Sequence, residues 1–147
     1  MKIYVAGKTH DWERVRRVQE ACKRLGHTIT FDWTETIEDI GPDVGHEFKT
    51  LTPEFKRECG EKDLLGVTSC ELIIALIDHE HVTGTLIEVG IALGLYKEVW
   101  LVGTPVRDSV FYYLPQVTQK FASVYDIVQH LPFHLPQGAT SGPGFPD

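Results

Sequence analysis

A chain of 147 residues, 42% of them apolar, has the size and the core of one ordinary domain and needs no disulfide staples. Its net charge of −7 argues against a basic groove for duplex nucleic acid, while leaving room for a nucleoside or a single nucleotide held by a few aimed donors. No run reaches the roughly 18 to 20 apolar residues of a membrane span. The start, MKIYVAGKTHDWE, is charged too soon for a secretory leader, so a cytosolic protein is expected.

In chain order, Lys2 to Ala6 (KIYVA) is a β-rich run closed by Gly7, and reads as the first strand. Asp11 to Leu25 follows with Trp12, Val15, Val18, Cys22 and Leu25 at helical spacing; arginines and lysines fill the outer face, and Gly26 is the stop. Thr28 to Trp33 (TITFDW) reads as strand two. Residues 34 to 52 are polar and carry Gly41, Pro42 and Gly45, hence a loop with at most a helical turn. Thr52-Pro53-Glu54 is a helix start, with Thr as cap and Pro at the first helical position; the helix runs to about Leu65, weakened by Gly60. Glu71 to Asp78 (ELIIALID) is nearly all apolar, as for a central strand covered on both faces.

After the loop DHEHVTG comes a helix ending near Gly94 and Tyr96, then a strand, EVWLV, over Glu98 to Val102. Gly103 to Leu114 reads as a loop, Phe121 to Val124 as a last strand and Tyr125 to Leu131 as a last helix. Such alternation predicts a single α/β domain, 1–131: a doubly wound, flavodoxin-like sheet of about five parallel strands with helices on both faces. Residues 132–147, rich in Pro and Gly, form a loose tail.

In sheets of this kind ligands sit outside the carboxyl ends of the strands, where the strand order switches. That singles out the first loop, with Gly7, Lys8 and His10; Tyr4 just before it; Asp78 after the central strand; and Glu88, a lone carboxylate among Leu86, Ile87, Val89 and Ile91. Each has a plainer reading. Thr85-Leu86-Ile87-Glu88 fits a capping box, which the spacing alone favours over catalysis. It leaves unexplained why Gly84 and two threonines, Thr83 and Thr85, gather at a loop-helix junction. Asp63 reads as a solvated helix end, Asp78 as a turn former and Lys8 as a surface lysine. Trp12 and Trp33 read as core, although Trp33, closing a strand, is the better placed to stack on a base. Cys22, Cys59 and Cys70 make no CxxC pair and read as reduced; His79 and His81 lie two apart and read as loop residues, so no metal is expected.

Taken together, three segments in order resemble the nucleoside 2-deoxyribosyltransferase family, which includes the 2′-deoxynucleoside 5′-monophosphate N-glycosidases. KIYVAG resembles its opening strand with an active-site tyrosine, here Tyr4. KDLLGVTSCELIIALID resembles the segment with its aspartate, here Asp63. GTLIEVGIALGLYKEV resembles the signature GxxxExGxAxxxxKxV, whose glutamate is the nucleophile, here Glu88. DSVFYYLPQV resembles the family loop that reaches a neighbouring subunit's site, with Ser109 at its small polar position and Phe111 two later. The chain departs from the transferases at Val82, where a second carboxylate is common, and from the monophosphate hydrolases in the first loop, where Lys8 and His10 replace Ser and Arg.

The resemblance implies cleavage of the N-glycosidic bond of a 2′-deoxynucleoside through a covalent ester on Glu88, with net retention. Tyr4 would hold the carboxylate, Asp63 would orient the sugar or handle the departing base's proton, and Ser109 of a partner would meet the 5′ end. Lys8, His10, Thr83 or Thr85 would meet a phosphate. The implied protein is a homo-oligomer with shared sites, needing no cofactor. Transfer to a second base and hydrolysis of a monophosphate both fit. So does a non-catalytic nucleotide-binding module, in which Glu88 only caps its helix.

Overall fold

A computed structural model describes residues 1–40 and 49–135. Lys2–Ala6 forms β1, and four of its five residues are buried because helices cover both faces. After a single 3-10 turn at Thr9–Asp11, α1 spans Trp12–Arg24 and lays Val15, Val18 and Cys22 on the sheet. Gly26 ends it at φ +85°, a conformation a side chain would resist. β2 (Thr28–Ile29), α2 (Thr34–Ile40), α3 (Pro53–Ser69), β3 (Leu72–Leu76), α4 (Thr83–Gly94), β4 (Glu98–Val102), β5 (Val117–Phe121) and α5 (Val124–His134) complete the domain. The five strands lie in the order β2-β1-β3-β4-β5 and every neighbouring pair is parallel, the doubly wound flavodoxin-like arrangement expected. β3 is buried at all five positions, as its unbroken LIIAL predicts. Among the described residues no helix is long and apolar enough to cross a membrane.

Five elements differ from the sequence reading. β2 leaves the ladder after Thr30, whose N–H donates to the Ile3 carbonyl at 2.9 Å. Trp33 then turns inward, its indole N–H donating to the Val5 carbonyl at 2.9 Å, and Asp32 accepts from the Thr34 N–H at 3.0 Å to begin α2. The polar stretch from residue 34 is therefore a seven-residue helix, not a loop, anchored by buried Thr34 and Ile37; Gly41, Pro42 and Gly45 lie outside the described residues. α3 starts as expected, with the Thr52 hydroxyl accepting from the Phe55 N–H, but continues to Ser69. The last strand is 117–121 rather than 121–124, its burial alternating. It is an edge strand, so Thr118 and Lys120 face solvent and the segment lacks the apolar run of a central strand. Helix α5 passes through Pro132 to His134; the rest of the expected tail, from residue 136, lies outside the described residues.

Gly66 shows how closely α3 meets β1. A Cβ there would stand 2.8 Å from Tyr4 Cε2 and 2.9 Å from Phe31 Cβ. Gly66→Ala is expected to push the Tyr4 ring aside and cost about 1–3 kcal/mol, read as a lower urea midpoint at unchanged slope.

Candidate active site

Between β1 and β3 the chain reverses its direction of travel across the sheet, and the crevice opens at their carboxyl ends. Tyr4 projects from β1 toward α3 and α4 and is completely buried. Its hydroxyl faces both Glu88 and Asp63 but meets neither in full hydrogen-bond geometry. Burial first, then the nearby charges of Glu88 and Asp63, push its pKa well above the ordinary tyrosine value. The same three groups shape one another. The Glu88 carboxyl rises to about 8, chiefly from burial, with Asp63 adding to the rise and Tyr4 opposing it. Asp63 rises to about 6, again from burial and again opposed by Tyr4. Three side chains from β1, α3 and α4, spread over 85 positions of sequence, thus share one desolvated site. Two carboxyls there cannot both ionise cheaply, so one proton is held between them near neutral pH.

Glu88 is not a cap. The Leu86 N–H already bonds the Val82 carbonyl at 2.9 Å, so α4 begins at Thr83 and Glu88 sits in its second turn. Thr85 is inside the helix with its hydroxyl buried and unpartnered, and Glu88 Oε2 is likewise buried without a partner. The capping-box reading fails because the helix register follows its buried face. Thr85, Val89, Ala92 and Leu93 pack inward, which draws the start three residues earlier than the box requires. The helix N-terminus does not offset this, since burial dominates the Glu88 carboxyl and the dipole fades beyond the first turn.

Beside Asp63 a hollow of about 410 Å³ opens between α2 and α3, within the range of small-ligand sites. Phe31, Trp33, Ile37, Ile40 and Phe55 supply apolar walls, and Cys59 and Lys62 stand one turn from each other on α3. Trp33 is thus both core and wall. Phe31, Phe55, Cys59 and Lys62 were not anticipated. Their signal is the i, i+4 and i, i+7 spacing from Phe55 along one helix face, and the i, i+2 alternation of Phe31 with Trp33.

The remaining candidates scatter around this centre. Gly7 is spent on packing, since a Cβ there would meet Val15 Cγ2 at 2.5 Å. Lys8 ends the strand loop, its carbonyl accepting from Asp11 N–H at 2.8 Å. Asp78 has both oxygens on the Arg14 guanidinium, at 3.2 and 2.8 Å. Although burial opposes it, that pairing draws the Asp78 carboxyl below its ordinary value. Thr83 and Gly84 form the first turn of α4, and no side chain caps it. Ser109 and Phe111 belong to another wall: Ser109 accepts from Phe111 N–H at 3.3 Å, and both line a hollow of about 910 Å³ on the outside of α4. Neither Glu88 nor Asp63 lines that larger hollow, so within one chain Ser109 and Phe111 are not brought to the carboxyl pair.

Comparison with known proteins gives a consistent outcome. A family model described as nucleoside 2-deoxyribosyltransferase matches residues 3–132. Two solved structures share the fold. A 2-deoxyribosyltransferase from the psychrotolerant bacterium Bacillus psychrosaccharolyticus has a TM-score of 0.65 at 20% identity, over 95% of this chain and 99% of that one. The CMP N-glycosidase of Clostridium botulinum has a TM-score of 0.62 at 14% identity, over 89% of this chain and 98% of that one. No curated protein matches.

Proposed function

The chain belongs to the nucleoside 2-deoxyribosyltransferase family, and from that premise we propose that it is a cytosolic enzyme that moves the deoxyribosyl group of a 2′-deoxynucleoside from one base to another. The observation that carries this reading is the carboxyl of Glu88, buried against Asp63 and Tyr4 and spared any capping role, with a nucleoside-sized hollow beside Asp63. In the first step a Glu88 oxygen bonds to C1′ as the C1′–N bond breaks, and the electron pair leaves with the base. Asp63, held up near 6, is a carboxylic acid able to protonate that base. In the second step a nitrogen of another base attacks C1′, Asp63 takes its proton, and the ester opens with net retention. Tyr4 hydrogen-bonds the carboxylate as its charge returns. Trp33 and Phe31 face the base; no metal or organic cofactor enters the scheme.

One observation favours a second reading, hydrolysis of a deoxynucleoside 5′-monophosphate. The first turn of α4 lacks a side-chain cap, leaving the N–H groups of Thr83, Gly84 and Thr85 for an anion, and the Thr85 hydroxyl is buried without a partner. Either reading calls for a second copy of the chain. Leu86 and Ile87 on α4, with Val110 and Phe111 beyond it, are exposed apolar residues that a homodimer would cover, and a partner could bring Ser109 to the sugar's 5′ end.

The test is base exchange. Incubated with a deoxynucleoside and a different free base, with and without a 5′-phosphate, the protein is expected to form the new deoxynucleoside. Free base with deoxyribose 5-phosphate would move the assignment to the hydrolase. No turnover of any deoxynucleoside or its monophosphate would leave a binding module.

A further inference from the structure

One charged network at the carboxyl edge of the sheet has no part in the chemistry above. Arg14, on the first turn of α1, grips Asp78 with both arms of its fork, Nη2 at 2.8 Å and Nη1 at 3.2 Å, while Nη1 also reaches Asp11 at 3.1 Å. Asp11 in turn meets His79 Nε2 at 2.6 Å. Two consecutive residues of the β3–α4 loop are therefore tied to the start of α1. The β4–β5 loop closes on Asp78 from another side: Gly103 holds φ +87°, and a Cβ there would lie 2.5 Å from Asp78 Cβ. Asp11, Asp78 and His79 offer ligand atoms within 4.8 Å of one another, a spacing that suits a cation, and the guanidinium supplies that cation from within the chain.

We propose that Arg14 is a positioning residue for Glu88, its fork on Asp78 setting where α4 begins. Only residues 80–82 separate His79 from Thr83, and Glu88 follows rigidly in the second turn of the same helix. A loop pinned at Asp78 and His79 leaves the helix little freedom to slide or tilt. Loss of the pin shifts the nucleophile relative to C1′, and a displacement near 1 Å can cost about 100-fold in rate. Bidentate geometry does this, not charge alone, because a lysine presents a single point and cannot hold two carboxylate oxygens in a plane.

The proposal rests on Glu88 acting as the nucleophile, so two readouts are paired. In the full chain, Arg14→Met and Arg14→Lys are expected to lower kcat in base exchange about 10-fold or more, with KM within about threefold. Asp78→Asn should resemble them, and the Arg14→Met/Asp78→Asn double variant should lose no more than Arg14→Met. Amide hydrogen exchange should quicken over residues 77–86 while β1 and β3 keep their protection. An Arg14→Lys variant with wild-type kcat, a kcat loss without faster exchange over 77–86, or faster exchange spread evenly across the sheet would overturn it. Wild-type protein without turnover would sink the nucleophile assignment instead, and the exchange data alone would then decide whether Arg14 holds the loop.

Discussion

Replacing Glu88 by glutamine is expected to abolish base exchange, a fall of about 1,000-fold or more, while making the folded protein more stable at alkaline pH. The two effects have one cause. Glutamine keeps the shape of the protonated side chain but cannot ionise to the carboxylate that forms the ester, so the covalent step is lost outright. The stability change follows from the direction of the pKa shift. In the folded chain the Glu88 carboxyl titrates at about 8, above its ordinary 4.5. Between those values the native state keeps a proton that the unfolded chain releases. Its contribution is therefore complete below about pH 4.5 and is lost as pH rises through about 8. Glutamine mimics the protonated form at every pH. The variant should match wild type near pH 4.5 and exceed it at pH 9 by about 5 kcal/mol, a gain read as a higher Tm. Were Glu88 a helix cap, its loss would cost about 1 kcal/mol at neutral pH, the opposite sign. Full activity in Glu88→Gln would refute the nucleophile assignment, and a lowered Tm at pH 9 would refute the buried, unpartnered carboxyl.

Asp63→Asn is expected to cost about 100-fold in kcat/KM and to change the shape of the pH profile, not only its height. With carboxyls at about 6 and about 8 sharing one site, the wild-type rate should follow a bell centred near pH 7, because the reacting form carries one proton between them. That proton must sit on Asp63 when Glu88 attacks, although burial favours the reverse arrangement. The productive form is a minority that the developing positive charge on C1′ brings forward. Asparagine removes the acid and removes the Asp63 charge that raises Glu88. The alkaline limb should disappear, leaving a single rise in rate with pH at the Glu88 pKa, now below 8. A bell that persists in Asp63→Asn would mean that another group donates the proton.

Much of this was readable before any coordinates. KIYVA, LIIAL and EVWLV are strands because their apolar runs suit a sheet covered on both faces, and Thr52-Pro53 begins its helix as a cap followed by proline should. Three motif segments in order pointed to Tyr4, Asp63 and Glu88. The misplaced elements share a cause. β5 carries polar residues because one edge of it is open, and α2 is short and polar because it needs only Thr34 and Ile37 to hold it down. Neither has the periodicity that makes a segment legible, since neither buries a full face.

What the amino-acid order determined by itself was the alternation of strands and helices, and with it the parallel sheet. Tertiary structure alone decided what each carboxylate meets. Glu88 followed the pattern of a cap until the buried face of α4 drew the helix start back to Thr83. Asp63 looked like a solvated helix end until α3 leaned onto Tyr4 across Gly66. Asp78 was open to a ligand until Arg14, from 64 residues away, closed on it. Desolvation and pairing depend on which side chains meet in space, and spacing along one chain does not record distances between elements that the fold brings together.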